Sequence, residues 1–103
     1  MKTVSVVMAT LNAGEILDKA LKSIRNQNYD QKKIEIIVAD GGSTDGTQKI
    51  IKKYHGKIIP ENTGSPEGAK AVALRHAKGE IVLEIDCDNI LPNKNWLIKM
   101  VSF

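Results

Sequence analysis

Apolar and polar positions along this chain fall into blocks with two different periods. Residues 4–9 form a continuous apolar run broken by one serine, the pattern of a strand buried on both faces of a parallel sheet. Thr10-Leu11-Asn12-Ala13-Gly14 ends the run. Ile16, Leu17, Ala20, Leu21 and Ile24 then recur at helical spacing, with Lys19, Lys22 and Arg25 outside. A polar connector spans 26–33, and residues 34–39 repeat the buried-strand pattern up to Asp40. The small residues of 41–46 make a turn, and Asp45 with Gln48 predicts a capping box for a second helix carrying Ile50, Ile51 and Tyr54. That helix stops near Gly56, and Lys57–Pro60 is a short third strand. Ser65 as N-cap and Pro66 at the first helical position open a third helix. Its stripe is Ala69, Val72, Ala73, His76 and Ala77, closed by Lys78-Gly79. A β-branched run over 81–85 forms the fourth strand. Pro92 then introduces a last helix in which Trp96, Leu97, Met100 and Val101 share a face.

This alternation predicts an α/β, Rossmann-like half-domain: a mostly parallel sheet of about four strands in the order 3-2-1-4, flanked by helices. The switch point then lies between strands 1 and 4, where open α/β sheets bind ligands outside the strands' carboxyl ends. Residues 10–12, Asp40, Asp86 and Asp88 all fall at that edge, around one crevice. Side chains two apart on an extended strand share a face, so Asp86 and Asp88 are placed to converge on one hard cation. Taken singly, Asp40 ahead of Gly41-Gly42 also fits a strand-ending turn, and 86–89 also fits a polar turn before Pro92. Two strand-end aspartates bordering one crevice point to a site.

Other candidates carry less. His76 lies on the third helix's stripe and reads as a packed histidine, while His55 sits where a helix ends and favours the dipole. Cys87, with acidic neighbours and no histidine near in sequence, is not a nucleophile. Gly41-Gly42 with Gly46 follows strand 2 and lacks the dinucleotide spacing, and no Gly-Lys-Ser/Thr phosphate loop exists.

The 103 residues allow one domain, with 26% charged and 42% hydrophobic residues as in an ordinary globular chain. The net charge of +3 comes from scattered lysines, so no nucleic-acid partner is expected. A single cysteine excludes an internal disulfide, and no run approaches a membrane span or a signal-peptide core. The expected location is the cytoplasm, with a membrane-associated parent enzyme still open.

Three blocks, in order, resemble family 2 glycosyltransferases. Val4-Ser5-Val6-Val7-Met8-Ala9-Thr10-Leu11-Asn12 looks like that family's opening strand. Ile36-Ile37-Val38-Ala39-Asp40-Gly41-Gly42-Ser43-Thr44-Asp45-Gly46-Thr47 resembles its Asp-Gly-Ser-Thr-Asp-Gly-Thr block. Ala77-Lys78-Gly79-Glu80 followed by Ile85-Asp86-Cys87-Asp88 looks like its Asp-x-Asp motif with its lead-in. The resemblance implies a GT-A fold binding a UDP- or GDP-linked sugar and Mg²⁺ or Mn²⁺. It implies donor contacts at Ala9, Thr10 and Leu11 beside base and ribose, and at Asp40 as an acceptor for the base or ribose. Asp86 would face ribose and diphosphate, Asp88 and Asp86 would hold the metal, and Lys70 would lie near the diphosphate. The sequence departs from the family at Ala9, Leu11, Gly41 and Asn89, where proline, tyrosine, a second aspartate and a third acid are usual.

In the family, the acceptor-binding half and the catalytic base follow the Asp-x-Asp strand, and here the sequence ends one helix later. Neither Glu80 nor Glu84 is assigned as base, and the base is expected downstream of Phe103. The expectation is therefore a single donor-binding domain over residues 1–103, transferring a sugar by inverting displacement when complete. The acceptor is unspecified. An exposed sheet edge suggests self-association or a missing partner half. The alternative is a nucleotide or nucleotide-sugar binding module, or a truncated piece without activity of its own. A sugar nucleotidyltransferase would need a basic glycine-rich loop after strand 1, and residues 10–14 hold no basic residue.

Overall fold

The computed structural model describes residues 1–102. Its elements are β1 (Val4–Thr10), α1 (Gly14–Arg25), a 3₁₀ turn (Gln31–Lys33), β2 (Ile34–Asp40), α2 (Thr47–Lys53), β3 (Lys57–Pro60), α3 (Pro66–Leu74), β4 (Ile81–Glu84) and α4 (Trp96–Val101). All strand pairings are parallel and the order is β3-β2-β1-β4, as the alternation predicts. Val4 pairs with Ile34 on one side and Ile81 on the other.

Period-two alternation divides the core between the two faces of the sheet. Val4, Val6 and Met8 of β1 with Ile36 and Val38 of β2 pack under Leu17, Leu21, Ile24, Ile51 and Leu97 from the helices. Val7, Ile37, Ala39 and Ile59 point to the other face, where Ala69 and Ala73 of α3 cover them. Small side chains let α3 lie close to the sheet, and its first turn thereby reaches the strand ends. Gln27, buried beneath α4, accepts from Leu97 N at 2.9 Å and donates to the Asn93 carbonyl at 2.6 Å.

Several boundaries differ from the sequence expectation. The α3 helix ends at Leu74 rather than at Lys78-Gly79. Arg75 N, His76 N and Ala77 N still close turns on Ala71, Ala73 and Leu74, and beyond them Lys78 N donates to Glu35 Oε2 at 2.7 Å, Gly79 N to Ser5 Oγ at 2.8 Å and Glu80 N to Thr3 Oγ1 at 2.9 Å. The capping box does not form. Gln48 donates instead to Asp40 Oδ2 at 2.9 Å, and Asp45 accepts from Thr47 N at 3.1 Å. The last helix begins at Trp96, four residues after Pro92, because Gln27 and Asn93 hold the intervening turn. Met100 is 44% exposed, so only Trp96, Leu97 and Val101 pack inward.

Gly79 crosses the start of β1 with no room to spare. A Cβ there would lie 2.7 Å from Ser5 N and 2.9 Å from the Val4 carbonyl carbon. Strand backbone cannot yield as a side chain can. Gly79→Ala is expected to destabilise the fold by about 1–3 kcal/mol, measured as a lower urea midpoint at unchanged m-value.

Candidate functional site

The carboxyl ends of β1 and β4 and the first turn of α3 enclose a cleft of about 900 Å³. It lies at the switch point, where the chain departs from β1 toward opposite faces of the sheet. Ala9, Thr10 and Leu11 form its floor and inner rim, while Lys70, Asp86 and Asp88 form the facing wall. Six of the seven residues expected to contact a donor therefore meet in one place.

The aspartates arrive there by a different route from the one the sequence suggests. The fourth strand ends at Glu84, and Asn89 N closes a turn on the Asp86 carbonyl at 3.0 Å. A turn rather than strand pleating brings Asp86 and Asp88 to the cleft. Asp86 Oδ1 lies 3.0 Å from Lys70 Nζ, and this hydrogen bond raises the lysine pKa above its ordinary value. Asp88 is exposed and has no side-chain hydrogen bond among the described residues. Cys87 between them is half-buried. Burial, together with the Asp88 and Asp86 charges, pushes its thiol pKa up against the lowering influence of the adjacent Thr10 hydroxyl. The thiol therefore stays protonated near neutral pH and supplies neither a nucleophile nor a thiolate ligand.

Thr10 lies 94% buried at the end of β1; its Oγ1 is near the Cys87 thiol but forms no hydrogen bond of good geometry among the described residues. A buried polar atom left unpaired costs free energy unless something binds it. Here it stands in the lining of an open cleft.

Asp40 is the expected ligand residue whose surroundings support another role. Its side chain is only 2% exposed and does not line the cleft. Oδ2 accepts from Ser43 N and Gln48 Nε2, each at 2.9 Å, and from Gly42 N at 3.2 Å, while Oδ1 accepts from Ser43 Oγ. Three donors saturate Oδ2 and one engages Oδ1, so the loop after β2 holds the carboxylate in place while one Oδ1 lone pair stays unengaged. Burial acts to raise its pKa, but the hydrogen bonds from Ser43, Gln48 and Gly42 outweigh it and hold the carboxyl below the usual range.

The same bonds build one wall of the cleft. Ser43 Oγ, donating to Asp40, accepts in turn from Asn12 N at 2.9 Å. Asn12 takes a positive φ of 50°, and its Oδ1 accepts from Thr44 N at 2.9 Å. Gly14 N adds a 3.3 Å bond to Thr47 Oγ1. The loops after β1 and β2 are thereby zipped together, and Asp40 is a positioning residue for Leu11 and Asn12.

Sequence reasoning missed Glu61, Ile16 and Ser65 on the cleft wall. Glu61 was discoverable by the rule that picked Asp40, because it too follows a strand's carboxyl end directly. It passes unnoticed because it stands in a polar loop without an Asp-x-Asp-like pattern.

The donor set suits a hard divalent ion. Two exposed carboxylates can hold Mg²⁺ or Mn²⁺ when substrate phosphates complete the coordination, and no third His, Cys, Asp or Glu joins them among the described residues. Three carboxylates, from Glu61, Asp86 and Asp88, face one ammonium, from Lys70. A diphosphate would be repelled from that balance unless a cation entered with it.

Comparisons with known proteins agree with this geometry. The family model for Glycosyl transferase family 2 matches residues 5–103. Poly(ribitol-phosphate) beta-N-acetylglucosaminyltransferase TarS of Staphylococcus aureus is 33% identical over 109 residues, covering 100% of this chain and 19% of that protein. The crystal structure of S. aureus TarS 1-349 in complex with UDP-GlcNAc superposes with TM-score 0.88 at 32% identity, over 97% of this chain and 30% of that one. The mannosyltransferase PcManGT from Pyrobaculum calidifontis, in complex with GDP-Man and Mn²⁺, gives TM-score 0.86 at 31% identity, over 98% of this chain and 32% of that one. The chain thus spans about a fifth of the length of the TarS relative and about a third of these solved structures. With the four-stranded 3-2-1-4 sheet of the GT-A fold and a family match over nearly its whole length, the chain belongs to glycosyl transferase family 2.

Proposed function

We propose that residues 1–103 form the donor-binding half of a glycosyltransferase, holding a UDP- or GDP-linked sugar in the cleft between β1, β4 and α3. The carrying observation is the convergence of Lys70, Asp86 and Asp88 opposite the buried, unpaired Thr10 hydroxyl. Complexes of similar structures with UDP-GlcNAc and with GDP-Man and Mn²⁺ support it.

Each residue has a defined task. Among the described residues Lys70 carries the only ammonium on the cleft wall, and it supplies N–H donors to diphosphate oxygens. Its ion pair keeps Asp86 turned to the cleft before ligand arrives. Asp86 and Asp88 would hold Mg²⁺ or Mn²⁺, which when bound offsets the charge of the departing diphosphate. The first turn of α3, with Ser65 accepting from Gly68 N at 3.0 Å, presents its positive end to the same space. Leu11, 60% exposed, offers an apolar surface to the nucleoside.

We assign no described carboxylate as the base that deprotonates the acceptor. Glu80 accepts from Thr3 N at 3.3 Å at the far end of the sheet, and Glu84 stands outside the cleft lining. Base and acceptor site are expected from outside these residues. Val82, 39% exposed on β4, whose outer edge pairs with no strand among the described residues, marks where further polypeptide would pack. We place the site in the cytoplasm, where nucleotide sugars are supplied; no described helix is long and apolar enough to cross a membrane.

Thermal-shift titration with UDP, GDP and their sugar conjugates, with and without Mn²⁺, tests the donor site. Ligand at about a hundredfold over Kd adds roughly 2.7 kcal/mol of stability. Absence of a shift with every nucleotide overturns the reading. Lys70→Ala is expected to weaken nucleoside diphosphate binding about tenfold while leaving the ligand-free melting temperature unchanged, because the Lys70–Asp86 pair is largely exposed.

A further inference from the structure

The amino ends of the strands carry a second depression, at the opposite end of the sheet from the donor cleft. β2 begins at Ile34, three residues before β3 joins it, since Lys57 pairs with Ile37. The gap is a groove of about 610 Å³ between the 3₁₀ turn and the turn from α2 into β3, with Ile34, Ile36 and Tyr54 in its lining. Arg25 spans it. Its Nε donates to the Tyr54 carbonyl at 2.8 Å and its Nη2 to the His55 carbonyl at 3.4 Å. Nη1 donates to the Ile34 carbonyl at 3.3 Å and to Gln31 Oε1 at 3.4 Å.

All four acceptors are neutral, so a half-buried cation stands here with no carboxylate partner among the described residues. Burial lowers its pKa, yet a guanidinium stays ionised near neutral pH. Lys32 and Lys57 line the same groove, and both are exposed and form no ion pair among the described residues. Lys53 is held by Asp18 at 3.1 Å. The carboxylate in the lining, Glu35, is engaged by Ser5 Oγ and Lys78 N. Four cations therefore face one carboxylate, the reverse of the donor cleft, where three carboxylates face one ammonium. Basic residues scattered along the sequence are gathered by the fold at this end.

A cation at the edge of a low-dielectric interior attracts an anion more strongly than one in open water. A phosphate alone would satisfy the ammoniums and leave the apolar lining wet. A polypeptide offers both chemistries, and acidic segments are recognised by clusters of this kind. We propose that the groove is a docking site for an acidic segment of a partner protein, whose carboxylates meet Lys32 and Lys57 while an apolar side chain lies against Tyr54 and Ile34.

The test is an anisotropy titration of the full chain with a dye-labelled peptide of alternating glutamate and leucine. The same peptide with glutamine for glutamate should bind about tenfold or more weaker. Lys32→Gln combined with Lys57→Gln should weaken the acidic peptide about tenfold or more. Lys94→Gln combined with Lys99→Gln removes the same charge outside the groove and should leave binding within about twofold. Neither pair should change the ligand-free melting temperature, because all four lysines are exposed. Equal losses in the two pairs would reduce the contact to net charge and overturn the site. Displacement of the labelled peptide by inorganic phosphate, phosphatidylglycerol vesicles or single-stranded DNA at lower concentration than by unlabelled peptide would overturn the choice of occupant, and absence of peptide binding would overturn the proposal outright. UDP with Mn²⁺ should not displace the peptide, since the two sites lie at opposite ends of the sheet; displacement would overturn the placement. Failure of the donor reading leaves this inference standing, and the reverse holds too.

Discussion

Asp40→Ala will lower the melting temperature by about 10–20 °C, reflecting a loss of about 2–4 kcal/mol in a domain of this size. The substitution removes the buried acceptor shared by four donors: Gly42 N, Ser43 N, Ser43 Oγ and the Gln48 amide. Hydrogen bonds to a charged acceptor are among the stronger ones. Asp40→Asn, which keeps one acceptor oxygen and the side chain's shape, should cost roughly half as much. The damage should spread beyond stability, since Ser43 no longer holds Asn12 and the loops after β1 and β2 separate. A variant melting within about 2 °C of wild type would show that the carboxylate does not hold these loops.

The same residue sets a pH response. Its folded pKa lies below the unfolded value, so its contribution is fully present above the unfolded pKa of about 3.9. That contribution disappears as pH falls through the lower folded value. Glu35 behaves alike: burial raises its pKa, but the hydrogen bonds from Ser5 Oγ and Lys78 N bring it down overall. Stability should be level from pH 7 to about 5 and decline below about pH 4, and Asp40→Ala should flatten that decline. Urea midpoints measured across this range provide the check.

Asp88→Ala should have the opposite signature. Asp88 is exposed and bonded to nothing among the described residues, so the ligand-free melting temperature should stay within about 1–2 °C of wild type. Binding of UDP or GDP with Mn²⁺ should fall about a hundredfold, toward the level measured in EDTA, because one of two carboxylates available to the ion is gone. Asp86→Ala should also weaken binding, though less, since it frees Lys70 from its ion pair and leaves the ammonium for phosphate. The two substitutions separate a residue that builds the cleft from one that serves its ligand. Full metal-dependent affinity in Asp88→Ala would remove Asp88 from the site.

The family departures at Leu11 and Gly41 acquire a shared meaning in three dimensions. Both lie beside Glu61, the residue after β3, so an apolar side chain and a carboxylate shape this corner of the cleft. A reading confined to one block at a time sees two missing features.

Periodicity alone was enough for the element order, the strand order and the edge at which the site forms. Buried parallel strands are apolar nearly throughout, and β1 and β2 show it as runs interrupted within the strand only by Ser5 and Glu35. The Asp-x-Asp pattern, the strand-end position and the Ser65-Pro66 helix start were equally legible, because each is a local signal. The roles of Asp40 and Gln48 were decided only by the tertiary structure. Capping predicts that the Gln48 side chain accepts from its own helix's N-cap N–H, yet a buried carboxylate eight residues back in sequence draws that side chain away as a donor. The stretch after α3 was likewise set from afar, by Glu35, Ser5 and Thr3 accepting from Lys78, Gly79 and Glu80 N. Local sequence determines which segments bury apolar surface; which lone pairs remain free for a ligand depends on donors brought in by other strands.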